Sequence, residues 1–139
     1  RMELCMQIKS KVFNTCILPV ITYGCKTWAL TKRHREKLER CQRAMERNLT
    51  EIRKQDRARC SVIREKTKVA DIVTRIDQQK WRWTGHMIRD PQEKWCKNVT
   101  DWYPRDGKRS RGRQQTRWED DLKLTAGHHW RRVASDRSQ

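Results

Sequence analysis

A chain of 139 residues is long enough for one ordinary domain or two very small ones. It is 37% charged and 35% hydrophobic with a net charge of +17, which argues against a self-sufficient globule, because a compact state with that charge repels itself unless an anionic partner binds. Nucleic acid is the expected partner, whereas a membrane is not, since no uninterrupted apolar stretch reaches the length of a span.

The first predicted helix has an apolar residue at every fourth position. These residues are Leu4, Ile8, Val12, Cys16 and Val20. Pro19 is expected to kink or end this helix, because proline lacks the N–H that a helix interior needs. Gly24 is expected to close the segment, since glycine tolerates the left-handed conformation found after helix ends.

The second predicted helix begins after Thr31, whose hydroxyl suits an N-cap. One face is apolar, with Leu38, Cys41, Met45, Leu49 and Ile52. The other face carries Lys32, Arg33, Arg35, Lys37, Arg40, Arg43 and Arg47. This face is either a solvated charged surface or a surface that meets phosphates. The excess of basic over acidic residues favours phosphates, so Arg40, Arg43 and Arg47 are candidate nucleic-acid contacts.

Residues 53–67 are predicted to hold a turn and a short helix, and two further helices are predicted before residue 103. The longer one contains Val69, Ile72, Val73, Ile76, Trp83 and Met87, and Asp90-Pro91 ends it. The shorter one contains Trp95, Val99 and Trp102. Trp81 and Trp83 are open to two interpretations, base stacking or core packing, and their helical spacing favours core packing.

Residues 103–115 lack apolar periodicity and are predicted to form a loop. This loop contains one acidic residue, Asp106. The basic residues in and beside it are Arg105, Lys108, Arg109, Arg111, Arg113 and Arg117. Gly107 and Gly112 allow the backbone to approach a partner closely, and guanidinium groups bind phosphate with two hydrogen bonds. We expect phosphate contacts here, with a flexible linker as the alternative.

The adjacent carboxylates Asp120 and Asp121 raise the question of a metal-dependent catalytic site. Thr116 and Glu119 fit a capping box, which would place both aspartates in the first turns of a helix. Neighbouring helical residues point about 100° apart, so the pair is interpreted as stabilising a helix start. No other pattern suggests a nucleophile or a metal site. We therefore predict no catalytic residues, metal or cofactor in this chain.

Together these elements predict an all-α fold. A small helical bundle covers residues 1–56, and a second, Trp-rich helical subdomain with the basic loop covers residues 57–139. The six cysteines form no C-x-x-C motif, and no secretory signal is visible. We expect reduced thiols in an intracellular protein, nuclear or cytoplasmic.

Four stretches in order resemble the C-terminal part of reverse transcriptases of non-LTR retrotransposons, of the RTE-like, endonuclease-bearing type. They are KVFNTCILPVITYGCKTWALTK (11–32), LERCQRAMERNLTEI (38–52), KTKVADIVTRIDQQKWRWTGHMIRD (66–90) and GKRSRGRQQTRWEDDLKLTAGHHWRRVASDR (107–137). The resemblance covers nearly the whole chain. It implies a helical thumb, with framework residues Pro19, Val20, Tyr23, Gly24 and Trp28, and a C-terminal domain after it.

The resembled parent is an RNA-directed DNA polymerase with an endonuclease, but its palm aspartates are not matched here. Trp118-Glu119-Asp120-Asp121 has Glu where that motif has Ala. The chain also departs from the family pattern at Cys25-Lys26 and Gln114-Gln115, which suggests a degenerate or partial copy. The resemblance implies RNA or an RNA–DNA hybrid as partner, bound without chemistry of this chain's own.

Two other interpretations remain open. The chain could be a small basic helical component of a ribonucleoprotein or other large assembly, derived from a retrotransposon remnant. It could also be a DNA-binding module, since Trp118, Leu122 and Trp130 echo a Myb-like repeat, although the interval between Leu122 and Trp130 is short for that repeat.

Overall fold

The computed structural model describes residues 5–92, 95–102, 112 and 117–136. Helices and short connections account for these residues, and no β-strand occurs among them. The predicted all-α fold is therefore confirmed.

Eight α-helices follow one another along the described chain. They are α1 (Met6–Val12), α2 (Leu18–Ile21), α3 (Lys32–Thr50), α4 (Cys60–Thr67), α5 (Ile72–Arg89), α6 (Trp95–Asp101), α7 (Asp120–Ala126) and α8 (Trp130–Ser135). A π-helical turn, Phe13–Ile17, joins α1 to α2. Three short 3₁₀ helices lie at Cys25–Thr27, Lys54–Asp56 and Gly127–His129.

The chain divides into two compact units. The first comprises Arg1–Cys25 and Thr31–Asp77, and the second comprises Lys26–Leu30 and Gln78–Gln139. Helix α5 begins in the first unit, and its residues from Gln78 onward belong to the second. The predicted division into residues 1–56 and 57–139 stays a prediction.

The π-helical turn determines which side of the first helix is buried. A π turn contains one residue more than the α-helical path, so it changes the register of the side chains that follow it. Phe13 and Leu18, five positions apart, are both buried. The apolar residues spaced four apart lie in solvent instead: Ile8, Val12, Cys16 and Val20.

Pro19 lies in the first turn of α2, and the helix continues past it to Ile21. The interruption of the α-helix therefore precedes Pro19 rather than coinciding with it. Gly24 follows with a φ of +70°, a left-handed conformation that glycine adopts without strain. The predicted closing role of Gly24 is confirmed.

Helix α3 starts as predicted, because the Thr31 hydroxyl accepts a hydrogen bond from the His34 N–H at 3.3 Å. Its inward face differs from the prediction. The side chains that are fully buried are the polar Gln42 and Glu46, whereas most of the predicted apolar stripe is half-buried and Cys41 is exposed. A hydrogen-bonded network, described below, explains how polar groups are accommodated there.

The core of the second unit combines helix residues with the short segment Lys26–Leu30. Its buried apolar side chains are Leu30, Met87, Leu122, Trp130 and Ala134. Lys80, Thr84 and Asp121 are buried with them. Charged residues are almost never fully buried unless they are paired, so Lys80 and Asp121 require partners inside the unit.

Candidate nucleic-acid interface

The Gln42 side chain fixes the inward face of α3 in the first unit. Its amide nitrogen donates to Glu46 Oε1 at 2.8 Å and to the carbonyl of Ala70 at 3.0 Å, and its amide oxygen accepts from the N–H of Ile72 at 2.7 Å. Ala70 precedes α5 and Ile72 begins it. One buried amide therefore satisfies two backbone groups at a helix start that would otherwise be costly to bury.

Arg64 of α4 extends this network to the surface. It donates to Asp71 Oδ2 at 2.7 Å and lies 3.9 Å from Glu46 Oε1. Asp71 also accepts from the N–H of Thr74 at 3.0 Å, which makes it the cap of α5. We call Gln42, Glu46, Arg64 and Asp71 the first-unit network.

The two carboxyl groups of the first-unit network have opposite pKa shifts. Burial raises the pKa of Glu46 above its ordinary 4.5, and the opposing effects of Arg64 and the Gln42 hydrogen bond are smaller. Burial also acts to raise the pKa of Asp71, but the hydrogen bonds from Thr74 and Arg64 outweigh it and hold that pKa below 3.8. Glu46 therefore resists ionisation, whereas Asp71 favours it.

Arg35 anchors α3 to α5 within the first unit. Its two terminal nitrogens each donate to a different carboxylate oxygen of Asp77 at 2.8 Å. Paired hydrogen bonds of this kind are stronger and more directional than a single contact. Arg35, one of the cations assigned by sequence to the basic face, is thus committed to the fold.

The remaining cations of α3 form the α3 basic face, defined by Lys32, Arg33, Lys37, Arg40, Arg43 and Arg47. The first four are exposed, and Arg43 and Arg47 are half-buried. Arg40 pairs with Glu36 at 3.6 Å and Arg43 with Glu39 at 3.1 Å, each one turn away. Such surface pairs contribute about 0.3–0.5 kcal/mol, so phosphate groups can replace them readily.

A cleft of about 660 Å³ continues the α3 basic face at the end of that helix. Its lining comprises Ala44, Arg47, Asn48, Glu51, Ile52, Arg53 and Lys54. Arg47 also reaches the Cys60 sulfur at 3.8 Å. Three cations against one acid in a concave surface provide a second place where a phosphate could be held.

The predicted loop site is described only at its end. Arg105, Lys108, Arg109, Arg111 and Arg113 lie outside the described residues, as does the predicted cap Thr116. Arg117 is exposed. Its N–H donates to the Asp120 carboxylate at 2.7 Å, and the Asp120 N–H donates to the Arg117 carbonyl at 3.1 Å. The Asp120 carboxylate thus accepts from the backbone N–H three positions before it. The predicted capping pair, Thr116 and Glu119, has the same spacing but lies one position earlier in the sequence.

Asp120 and Asp121 are the first residues of α7 and serve different groups, which confirms their interpretation as helix-start carboxylates. Asp121 Oδ2 accepts from Lys80 Nζ at 2.8 Å and from the N–H of Leu30 at 3.1 Å. Lys80 also donates to the carbonyls of Trp28 at 3.0 Å and Trp118 at 2.7 Å. Sequence patterns gave no signal for this buried pair, because its members are 41 positions apart.

Around Lys80 and Asp121 the second unit assembles an aromatic cluster. The rings of Trp83 and Trp118 meet edge to face at 5.5 Å between centroids, and those of Trp118 and Trp130 at 6.3 Å. The Lys80 ammonium lies 4.8 Å from the Trp118 ring centre. Trp118 Nε1 donates to the Lys26 carbonyl at 2.6 Å. Trp118 and Trp130 therefore serve as framework, and Trp83 packs against it as helical spacing predicted.

The same cluster forms one wall of an aromatic cavity of about 690 Å³. The cavity lining comprises Thr27, Trp83, Trp95, Cys96, Val99, Thr100, Trp102, Arg117, Trp118 and Glu119. Helix α6 was predicted, but the exposure of its apolar residues was not: Trp95 is 81% exposed and Val99 is 62% exposed. Apolar spacing along a helix is the same whether that face is covered or open, so sequence could not distinguish the two.

Within the described part of the chain, no helix has the length and apolar character needed to cross a membrane. Across the same residues, no group of three or more His, Cys, Asp or Glu side chains is placed to hold a metal ion.

Comparison with known proteins gives one informative relative. No family model matches this chain, and no solved structure matches it. A Caenorhabditis elegans protein named "Putative uncharacterized transposon-derived protein" is 31% identical over 122 residues, which cover 84% of this chain and 43% of that protein. The chain thus spans less than half the length of this relative. The similarity supports a transposon origin for the chain.

Proposed function

We propose that this chain is the nucleic-acid-binding C-terminal part, thumb and post-thumb, of a non-LTR retrotransposon reverse transcriptase of the RTE-like type. Its partner is RNA or an RNA–DNA hybrid, bound through backbone phosphates. The similarity to a protein named as transposon-derived supports this origin, and the net charge of +17 supports a polyanionic partner.

The observation that carries the proposal is the α3 basic face. The first-unit network and the Arg35–Asp77 pair hold the opposite side of α3 against the rest of the unit. Four of the remaining cations are exposed, and Arg43 and Arg47 are half-buried. Arg40 and Arg47 are seven residues apart, about 10 Å along the helix axis. That distance corresponds to about three nucleotide steps on one strand.

The test is a salt titration of binding to single-stranded RNA, duplex RNA and an RNA–DNA hybrid. The variant replaces Arg40, Arg43 and Arg47 with Gln. If each arginine meets a phosphate, the slope of log affinity against log salt should decrease by about 2 to 3, because fewer counterions are released. The loss should be similar for unrelated sequences, since phosphate contacts carry no base information.

A matched control removes three charges elsewhere in the first unit. Lys11, Lys66 and Arg75 are exposed and lie on three other helices, and their joint replacement with Gln should change the slope less. An equal change in both triple variants would attribute binding to overall charge and contradict an interface on α3.

The loop cations provide a second arm of the experiment. Replacement of Arg109, Arg111 and Arg113 with Gln should weaken binding in the same sequence-independent manner and reduce the salt slope by about 2 to 3 if each contacts a phosphate. An unchanged slope would show that the stretch 103–116 acts as a linker.

The proposal assigns no chemistry to this chain. Asp120 and Asp121 serve a backbone N–H and a buried lysine respectively, so they are not arranged to share metal ions for phosphoryl transfer. Purified protein with Mg²⁺ should extend no primer above background. Extension that disappears on Asp120→Asn would overturn this part of the proposal.

A second candidate function is that of a helical component of a larger assembly. Exposed apolar side chains of α1, of α2 and of the turn after α2 favour it: Ile8, Val12, Val20 and Tyr23. Under this alternative the joint replacement of Ile8, Val12 and Val20 with Ser would abolish association with a protein partner, and the arginine triple variants would leave function intact.

A further inference from the structure

The phosphate contacts proposed for α3 make no use of the aromatic cavity of the second unit, which several indole rings line. Four of the seven tryptophans line it: Trp83, Trp95, Trp102 and Trp118. Its volume of about 690 Å³ lies within the range of pockets that hold small organic ligands. Exposed tryptophans at such a site need an explanation, since soluble proteins rarely leave large contiguous apolar surfaces uncovered.

The geometry points to an unpaired nucleobase of a single-stranded nucleic acid as the occupant of this cavity, and this inference rests on the proposed function. We propose that Trp95 and Trp102 stack on bases while the Trp83–Trp118 pair forms the fixed wall behind them. Stacking on aromatic side chains is the usual way in which proteins hold single strands, and it requires no particular base sequence.

The fixed wall is rigid because Trp118 is held from several directions. Its indole N–H donates to the Lys26 carbonyl, its ring receives the Lys80 ammonium, and its edges contact Trp83 and Trp130. A ring held in this way loses little freedom when a ligand packs beside it. The polar edge of Trp118 is already occupied, so the wall offers ring surface rather than hydrogen bonds.

The open wall is supplied by α6 and the residue after it. Trp95, Val99 and Trp102 are spaced four and three apart, which places them on one side of the helix. The helix is tied within the second unit by the ion pair between Asp101 and Arg131. Trp95 and Trp102 line the cavity with their rings largely in solvent.

Charge favours a nucleic acid over an apolar peptide as the occupant. Arg117 lines the cavity beside the indoles and is exposed. The whole chain carries a net charge of +17, which favours a polyanionic ligand. A planar base on an indole, with a phosphate near Arg117, satisfies both features of the site.

The experiment compares three ligands for the full chain: a labelled single-stranded RNA of mixed sequence, the same strand with abasic residues, and a duplex RNA. Trp95→Ala and Trp102→Ala should each weaken binding to the single strand about tenfold. They should leave the salt slope and the affinities for abasic and duplex RNA unchanged. Trp95→Phe and Trp102→Phe should retain most of the affinity, because phenyl rings also stack.

The matched control is Tyr23→Ala, which removes an aromatic ring that is 85% exposed in the first unit. It should leave all three affinities unchanged. Circular dichroism of each alanine variant checks that its helix content equals that of the wild type, as expected for exposed positions.

Three results would overturn base stacking: no loss with either alanine variant, an equal loss on the abasic strand, or a loss of self-association without a loss of RNA binding. The last would assign the cavity to a second copy of the chain. Binding of the wild type to abasic RNA, reduced by the α3 triple variant, would keep the proposed function even then. A wild type that binds none of the three ligands and no RNA–DNA hybrid would remove both.

Discussion

The two units each bury a polar cluster, but the clusters differ in charge and in access to water. In the first unit, the neutral amide of Gln42 connects α3 to the start of α5, and Arg64 carries the network outward with 41% of its side chain exposed. In the second unit, Lys80 and Asp121 form an ion pair whose side chains are each 2% exposed.

This difference indicates how the stability of each unit should respond to substitutions and to changes of salt and pH. A buried ion pair is expensive to break, because removal of one partner leaves an uncompensated charge in a medium of low dielectric constant. A network based on an amide loses single hydrogen bonds, each with a smaller effect. Changes of salt and pH should affect the first-unit network more than the Lys80–Asp121 pair, because Arg64 is partly exposed to solvent and that pair is buried.

The largest effect is expected from Lys80→Met in the second unit. The change leaves Asp121 buried without its cation and removes donors to the carbonyls of Trp28 and Trp118. The free energy of unfolding should decrease by about 3–5 kcal/mol, as measured by urea denaturation.

Native tryptophan emission should shift in this variant as well, because the ammonium beside the Trp118 ring is lost. The control Lys80→Met with Asp121→Leu removes both charges and should be less destabilised than Lys80→Met alone. A double variant that is no more stable than the single one would show that the two charges are not coupled.

A smaller effect is expected from Gln42→Leu in the first unit. Leucine fills similar space, but it leaves the Ala70 carbonyl and the Ile72 N–H without their side-chain partner. Unfolding should become easier by about 1–3 kcal/mol. All seven tryptophans belong to the second unit, so the native emission spectrum should stay unchanged. A shifted spectrum would show that the first-unit network influences the aromatic cluster.

Thr31→Ala tests the start of α3, where the chain returns from the second unit to the first. It removes the hydroxyl that accepts from the His34 N–H. The expected loss is about 1 kcal/mol in the free energy of unfolding. Thr31→Ser keeps the hydroxyl and should retain the wild-type value, whereas equal losses in both variants would assign the effect to the threonine methyl group.

The smallest expected effect is the pH response of Glu46. The pKa of Glu46 is raised in the folded chain, so the folded state binds a proton more tightly than the unfolded state does. Glu46 therefore makes stability fall as pH rises from 4.5 through that raised pKa. Glu46→Gln should flatten this part of the profile, measured as the difference between the two unfolding curves at each pH.

Asp71 has the opposite sign and supplies the internal control. The pKa of Asp71 is lowered, so its stabilisation is present above 3.8 and is lost as pH falls through the folded pKa. Asp71→Asn should remove that acid loss. It should reduce but not abolish the Glu46 response, because burial is the main cause of the raised Glu46 pKa and the Asp71 charge adds to it. A Glu46→Gln profile that is parallel to the wild-type profile would contradict the assignment.

Local signals in the sequence predicted the helical fold, the cap at Thr31, the closure at Gly24 and the helical position of Asp120 and Asp121, because each depends on residues a few positions apart. The long-range pairs were beyond such signals. Gln42 lies 30 residues from Ile72, and Lys80 lies 41 residues from Asp121. Arg35 is the clearest example. Its helical spacing placed it with the basic residues of α3, but its hydrogen bond to Asp77 joins it to α5 instead.

The π-helical turn at Phe13–Ile17 affects which single-residue deletions this chain can tolerate. A π turn contains one residue more than a regular α-helix, so the loss of one exposed residue such as Thr15 can restore an α-helical path between the same two ends. The loss of one residue from the middle of α3 would instead rotate all later side chains by about 100° and turn Glu46 away from Gln42. Deletion of one of the exposed residues 15–17 should thus be tolerated, and deletion of one residue in α3 should be rejected.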